Sequence, residues 1–156
     1  MYKQYRPRAV IVDMDGTLAL VDQRRDLAMK PNGKLDWDIF NNPDNIELDQ
    51  PNEPIIELIR VFRETHHKII IVTGRFHQAL DRTMKWLSEH SVPYDAIHTR
   101  ADKDYRADTV IKREIYEGHI LNHWDARWVI DDRERVVAMW RNELNLTVLQ
   151  VAEGDH

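Results

Sequence analysis

Short apolar runs alternate along this chain with segments in which apolar residues recur every three or four positions. A short apolar run is typical of a buried β-strand, whereas a spacing of three or four places apolar side chains on one face of a helix. The runs predict strands at residues 9–12, 68–75, 95–98, 127–132 and 146–151. The periodic segments predict helices around residues 55–62, 80–87, 110–115 and 136–140.

This alternation of strands and helices indicates the fold class. Parallel strands need long crossover connections, and helices supply them on both faces of the sheet. We therefore predict an α/β protein with a three-layer, Rossmann-like fold and a central parallel sheet of about five strands. A chain of 156 residues is long enough for one such core, so residues 1–156 are interpreted as a single domain.

Residues 20–51 interrupt the alternation. The segment is polar, contains Pro31, Gly33 and Pro43, and has no sustained apolar period. We predict at most a short helix near Trp37–Phe40 and interpret the segment as a small, cap-like insert over the end of the first strand. Inserts of this length in compact domains are often lids or binding elements. A plain surface excursion remains the alternative.

Composition and charge narrow the setting in which the protein acts. The chain has no cysteine, which excludes disulfides and thiolate metal sites, and its first apolar run is too short for a signal peptide or a membrane span. We therefore expect a soluble, cytoplasmic protein with no membrane partner. The net charge of −5 argues against indiscriminate binding along nucleic acid, although it is compatible with a local basic site.

Polar residues stand where several predicted strands end. Asp13 and Asp15 follow the first strand, the segment 73–75 (TGR) ends the second, and Asp131 and Asp132 end the fourth. The carboxyl ends of parallel strands meet at one edge of the sheet, where ligands bind in such folds. Clustered carboxylates repel one another unless a cation lies among them, and Mg²⁺ prefers oxygen ligands. The sequence therefore predicts a Mg²⁺ site at this edge.

The same positions carry a resemblance to a known family. The stretch DMDGT after the first strand, a strand ending in Thr73, Lys112 and the later IDD resemble the four motifs of haloacid dehalogenase superfamily phosphotransferases. VTGR, ADTVIKREIYEGHI, IDDRERVVAMWR and the final VAEGDH are similar to the 3′-phosphatase domain of phage polynucleotide kinase-phosphatases. This likeness runs from Arg8 to His156. The GxxxxGK[ST] loop of the kinase half is absent, so we expect a free-standing phosphatase or an excised domain.

The resemblance implies roles for the acids. Asp13 would be the nucleophile that forms an aspartyl-phosphate. Asp15 would protonate the leaving oxygen and then activate water, which calls for a raised pKa that the nearby Asp13 would favour. Asp131 would bind Mg²⁺ together with Asp13 and with Asp15, the latter through its backbone carbonyl. Asp132 would lie beside the metal or support Lys112, and it could also cap the helix that follows.

The resemblance also implies contacts to the phosphoryl group. Thr73 would bind a phosphate oxygen, helped by Gly74 and by the N-terminus of the following helix. Lys112 would offset the clustered negative charge and contact the phosphoryl group. Asp108, one helical turn before that lysine, would either orient it or cap its helix.

Arginines and aromatic residues are the candidates for binding the rest of the substrate. Arg24, Arg75 and Arg100 match arginines of the phage phosphatases and would bind nucleotide phosphates, unless they lie in surface ion pairs. Trp37 and Tyr105 would either stack on a base or pack in the core.

Together the motifs predict a magnesium-dependent phosphatase that removes the 3′-phosphate from RNA or DNA ends, or from nucleoside 3′-phosphates. The product is a 3′-hydroxyl, which a ligase or polymerase needs, so a kinase domain or a ligase of the same repair pathway is an expected partner. A small-molecule nucleotidase or general phosphomonoesterase is the nearer alternative. A non-catalytic binding subunit of the same fold is the more distant one.

Overall fold

The computed structural model describes residues 4–154. Its elements, in chain order, are β1 (Arg8–Val12), β2 (Ala19–Leu20), α1 (Asp22–Ala28), α2 (Trp37–Phe40), β3 (Gln50–Pro51), α3 (Glu53–Glu64), β4 (Lys68–Phe76), α4 (Leu80–Glu89), β5 (Ala96–Arg100), α5 (Asp108–Ile115), β6 (Asp125–Asp131), α6 (Glu134–Ala138) and β7 (Thr147–Gln150). Short 3-10 turns cover Pro43–Leu48 and His77–Ala79, and π-helical turns follow α5 at Tyr116–Ile120 and α6 at Met139–Glu143.

A parallel sheet of five strands forms the centre of the protein, in the order β5-β4-β1-β6-β7. This confirms the predicted α/β class and its Rossmann-like sheet, and each predicted strand agrees with an observed one to within two residues at either end. The chain runs from β1 outward to β5 and then returns to β6 on the other side of β1. The reversal lies between the carboxyl ends of β1 and β6, which is where open α/β sheets bind ligands.

Helices cover both faces of the sheet because successive strand residues point to opposite sides. Val10 and Val12 of β1 pack on one face with residues of α3 and α4, whereas Ala9 and Ile11 pack on the other with residues of α5 and α6. The two cores hold the strands rigidly and leave their carboxyl ends to form a site. Within residues 4–154, no helix is long and apolar enough to cross a membrane.

The polar segment between β1 and α3 is closed at its base by a small antiparallel ladder, in which β2 pairs with β3. Its short helix α2 lies where the sequence predicts one. The prediction of at most one helix is nevertheless wrong, since α1 precedes it. Only Arg24 and Ala28 are buried on α1, so this helix leaves no apolar period in the sequence.

Candidate active site

A cavity of about 920 Å³ opens at the carboxyl edge of the sheet. Nine of the ten predicted site residues line it: Asp13, Asp15, Thr73, Gly74, Arg75, Arg100, Lys112, Asp131 and Asp132. The tenth, Arg24, is buried and contacts Asp15 instead of lining the cavity. The parallel sheet therefore gathers residues that are far apart in the sequence into one place.

Lys112 joins two of the acids. It is buried on α5, and its Nζ donates to Asp13 Oδ1 and Asp131 Oδ2, each at 2.9 Å. Burial raises the pKa of Asp13 well above its ordinary value, repulsion from Asp131 adds to this increase, and Lys112 opposes it. Burial disfavours the charged form of Lys112, but the two acids outweigh this effect and raise the pKa of the lysine. Lys112 therefore stays charged.

Asp13, Asp131 and Asp132 form a cluster with the dimensions of a metal site. One oxygen from each carboxylate lies within 4.8 Å of the other two, and all three residues are buried. Lys112 contacts two of the three acids, Asp13 and Asp131. Clustered, buried carboxylate oxygens suit Mg²⁺. The donor set fits the predicted ion, although the side chain of Asp15 is not part of it.

The turn after β1 brings the acids close together. Gly16 has a φ of +82°, and a Cβ at this position would lie 2.1 Å from Asp132 Oδ2, so a side chain does not fit here. Thr17 is fully buried, and its Oγ1 donates to Asp13 Oδ2 at 3.3 Å and lies 3.4 Å from Asp132 Oδ1. The sequence prediction omits Thr17, although the DMDGT stretch contains it.

The carboxylate of Asp15 forms ion pairs with two arginines. Its Oδ1 accepts from Arg24 Nη2 at 2.7 Å and from Arg75 Nε at 2.9 Å. Burial alone would raise the pKa of Asp15, but the guanidinium groups of Arg75 and Arg24 outweigh it and hold the pKa well below its usual range. The expected increase in this pKa is therefore wrong for the protein alone, because two distant arginines pack against the acid.

Asp49 holds the same two arginines from the other side. It lies directly before β3, its side chain is fully buried, and it accepts from Arg24 Nε at 3.0 Å, Arg24 Nη2 at 2.9 Å and Arg75 Nη2 at 2.9 Å. A lone acid in a polar insert belongs to no motif or period, so sequence reasoning missed Asp49. This network ties the insert to the loop that carries Asp15.

Thr73 and Gly74 lie inside β4 rather than at its end. Thr73 is buried, and its Oγ1 accepts from the backbone N–H of Arg75 at 3.1 Å. β4 continues past Gly74 to Phe76, which pairs with Arg100 of β5, and a 3-10 turn separates this strand from α4, the helix that follows. Thr73 and the backbone around it nevertheless line the cavity.

Arg100 also has partners inside the protein. Its Nε donates to the carbonyl of Gly74 at 3.0 Å, and its Nη2 donates to Asp108. Like Arg24 and Arg75, it is buried, so none of these three lies in a surface ion pair. Their guanidinium groups stabilise the walls of the site.

Asp108 has a different role from the two that the sequence suggests. The N-cap of α5 is Ala107, and no side chain caps this helix. The carboxylate of Asp108 instead accepts from Arg100 and from Arg133. Lys112, which it was expected to orient, is held by acids of β6 and the loop after β1. Two charged guanidinium groups are stronger partners than backbone N–H groups, which explains the difference.

Two aromatic side chains stand at the rim of the cavity. Trp37 of α2 is 57% exposed and Tyr105, in the loop before α5, is 79% exposed, and both belong to the cavity lining. The suggestion that they pack in the core is therefore wrong.

Comparisons with known proteins identify the family. A family model described as "Polynucleotide kinase PNKP phosphatase domain" matches residues 7–156. The "Putative bifunctional polynucleotide kinase/RNA ligase" of Autographa californica nuclear polyhedrosis virus is 26% identical over 147 residues, which are 93% of this chain and 19% of that protein. Two solved structures, of the "Pnkp1/Rnl/Hen1 complex" and the "Pnkp1/Rnl/Hen1 RNA repair complex", are 31% identical with a TM-score of 0.84. They cover 99% of this chain, which spans 49% and 45% of theirs.

This chain therefore spans about a fifth of the viral relative and about half of the matched structural chains. The family match nonetheless includes every residue of the cavity described above. Both the fold and the residues gathered at its carboxyl edge agree with that match. The chain accordingly belongs to the family of polynucleotide kinase PNKP phosphatase domains, of the haloacid dehalogenase type, and is a phosphoester hydrolase.

Proposed function

We propose that this protein is a magnesium-dependent phosphatase that removes the 3′-phosphate from RNA or DNA ends or from nucleoside 3′-phosphates. The observation that carries the proposal is the position of Asp13, which lies in the cavity beside Lys112 and within reach of two further acids. A nucleophilic carboxylate next to a charged lysine and a cation-binding cluster suits attack on a phosphoryl group. The family assignment excludes the non-catalytic alternative.

The chemistry takes two steps at Asp13. In the first, a carboxylate oxygen of Asp13 bonds to phosphorus while the bond from phosphorus to O3′ breaks, and the leaving oxygen takes a proton from Asp15. In the second, water attacks the aspartyl-phosphate, gives its proton to Asp15, and releases Asp13 and inorganic phosphate. The low pKa of Asp15 keeps this carboxylate ionised, as the second step requires. The first step requires a protonated Asp15, and an incoming phosphate adds a like charge that shifts the pKa in that direction.

The remaining site residues bind and position the reactants. Asp13, Asp131 and Asp132, with the backbone carbonyl of Asp15, would hold Mg²⁺, which when bound offsets negative charge on the phosphoryl oxygens. Lys112 offsets further charge at the same place.

Around the phosphoryl group, Thr73 and Gly74 would donate hydrogen bonds to its oxygens. Arg75 and Arg100 line the cavity and would contact the substrate there. Arg24 lies outside the cavity lining and would position Asp15 through its hydrogen bond to this acid.

The reaction leaves a 3′-hydroxyl, which is the group that a ligase joins. The viral relative is named as a kinase and RNA ligase, and the matched structures contain Pnkp1 with Rnl and Hen1. These names support the proposal that this phosphatase acts beside kinase or ligase activities in the repair of nucleic acid ends. The lack of cysteine agrees with action in the cytoplasm, a reducing compartment.

The test is to measure kcat/KM for phosphate release from 3′-phosphorylated RNA and DNA oligonucleotides, nucleoside 3′-monophosphates and nucleoside 5′-monophosphates. We expect the 3′-phosphates to be hydrolysed in preference to the 5′-phosphates, with activity lost in excess EDTA. Asp13→Asn should lower the rate by more than roughly three orders of magnitude, because an amide cannot form the acyl-phosphate. Asp44→Asn is the matched control, since Asp44 forms an exposed ion pair with Arg82. A preference for 5′-monophosphates would overturn the proposal in favour of a nucleotidase.

A further inference from the structure

The two exposed aromatic side chains at the rim have no role in the chemistry described above. Trp37 and Tyr105 come from different parts of the chain, one from the insert and the other from the loop before α5. Leaving a large aromatic ring in water forgoes the favourable free energy of burying its apolar surface. Both rings nevertheless line the cavity that contains Asp13. Their placement calls for a ligand that covers them.

The first ring is supported by a series of contacts that leads to Asp15, the proposed general acid. Trp37 contacts Phe40 edge to face, with their centroids 5.6 Å apart. The guanidinium carbon of Arg24 lies 4.4 Å from the centroid of Phe40, and Arg24 donates to Asp15. Phe40 and Arg24 are buried, so the side chains that support Trp37 are held in place by the surrounding protein.

The second ring has a support of the same kind. Tyr105 contacts Phe76 with their centroids 5.7 Å apart. The guanidinium carbon of Arg100 lies 5.6 Å from the centroid of Phe76, and Arg100 donates to the carbonyl of Gly74 in the cavity wall. Each exposed ring is thus the outer member of a series of contacts, from aromatic ring to aromatic ring to arginine, whose inner member holds the wall of the active site.

We propose that Trp37 and Tyr105 form a base-stacking site for the strand whose 3′-phosphate is attacked by Asp13. This proposal rests on the function proposed above and adds that the enzyme recognises nucleobases. Aromatic faces bind bases of any sequence, because every base has a π-face. The cavity, at about 920 Å³, is at the upper end of the size of small-ligand pockets, so it has room for a nucleotide beyond the phosphoryl group.

Charge considerations favour stacking as the source of affinity. The protein carries a net charge of −5, so electrostatic attraction to a strand is weak overall. Four of the arginines that line the cavity already donate to acceptors inside the protein: Arg75, Arg100, Arg106 and Arg133. Flat apolar faces at the rim therefore supply contacts to the bases, in addition to the substrate contacts proposed above for Arg75 and Arg100.

The experiment compares two 3′-phosphorylated oligonucleotides of equal length, one normal and one with abasic sugars at its last two positions. Both are assayed by kcat/KM with the wild type and with Trp37→Ala, Tyr105→Ala, Trp37→Phe and Tyr105→Phe. Tyr5→Ala is the matched control, because Tyr5 is 86% exposed and lies outside the cavity lining. Binding is measured separately by fluorescence anisotropy in the Asp13→Asn background, where no turnover interferes.

We expect each alanine variant to lose roughly 5- to 150-fold on the normal strand, the factor that corresponds to stacking of one base. The loss should appear mainly as an increase in KM. The phenylalanine variants should keep most of the activity. For the abasic strand, kcat/KM should be the same in all four variants as in the wild type. Equal losses on both strands, or a wild type that treats the strands alike, would overturn the base-stacking site. If neither strand is hydrolysed, the proposed function fails instead. In that case the difference in binding affinity between normal and abasic strands, measured by fluorescence anisotropy, tests the base-stacking site independently of the reaction.

Discussion

Lys112→Met removes the ammonium group that contacts Asp13 and Asp131 and keeps a side chain of similar length. The side chain of Lys112 is 3% exposed, and it loses two hydrogen bonds of 2.9 Å to Asp13 and Asp131. Hydrogen bonds to charged groups contribute roughly 1.5–3 kcal/mol each, and breaking a buried ion pair from one side costs about 3–5 kcal/mol. Both figures place the loss in the free energy of unfolding at about 3–5 kcal/mol.

Protonation sets an upper limit on this loss. A carboxylate with an ordinary pKa of 3.8 can be protonated at pH 7 for about 4 kcal/mol, because each pH unit corresponds to about 1.4 kcal/mol. The variant would take up that proton rather than keep two adjacent buried charges. Since the cost falls as the pH falls, the difference in the free energy of unfolding between wild type and Lys112→Met should narrow between pH 7 and pH 5, by at most roughly 2–3 kcal/mol, because the raised pKa of Asp13 gives the wild type part of the same pH dependence.

Urea denaturation at the two pH values, without divalent metal, measures the gap. Lys85→Met is the control, because Lys85 also lies on a helix but is 65% exposed and forms only a helical ion pair with Glu89, worth about 0.3–0.5 kcal/mol. Mg²⁺ should raise the melting temperature of Lys112→Met more than that of the wild type, since it replaces the missing charge. This reasoning would be refuted if the free energy of unfolding of Lys112→Met lay within 1 kcal/mol of that of the Lys85→Met control at pH 7. It would also be refuted if the difference between wild type and Lys112→Met did not change with pH.

Three other substitutions test separate contacts. Gly16→Ala should lower activity roughly tenfold or more, because the new Cβ would displace Asp132 of the metal cluster. The control is Gly33→Ala, which also has a positive φ but lies in open space, so it should affect only stability. Arg24→Met should reduce kcat/KM equally for oligonucleotides and small phosphate esters, since Arg24 holds Asp15; a loss confined to oligonucleotides would contradict this. Burial and a neighbouring histidine lower the pKa of His98 below 6.5, so the unfolded chain is protonated first and stability falls as the pH drops below 6.5. The free energy of unfolding, measured by urea denaturation, should therefore fall less between pH 7.5 and pH 5.5 in His98→Phe than in the wild type.

The amino-acid sequence by itself determined the sheet and the positions of the central acids. The three inner strands of the sheet, β4, β1 and β6, each contain a run of apolar residues, because a strand covered on both faces must be apolar where it is buried. Parallel connections then force the carboxyl ends to one edge, so Asp13 and Asp131 had to meet. These features follow from local patterns and from topology, which is why they could be predicted.

Only the tertiary structure decided how the charges of the site neutralise one another. The helix α1 is held by the buried Arg24, and its partner Asp49 lies 25 positions later. The pKa of Asp15 is lowered rather than raised because Arg24 and Arg75 reach it from two different elements. Buried apolar side chains can be recognised in the sequence by their periodic spacing. The partners of an ion pair cannot, because the free energy of the pair depends on the distance between two segments, and only folding sets that distance.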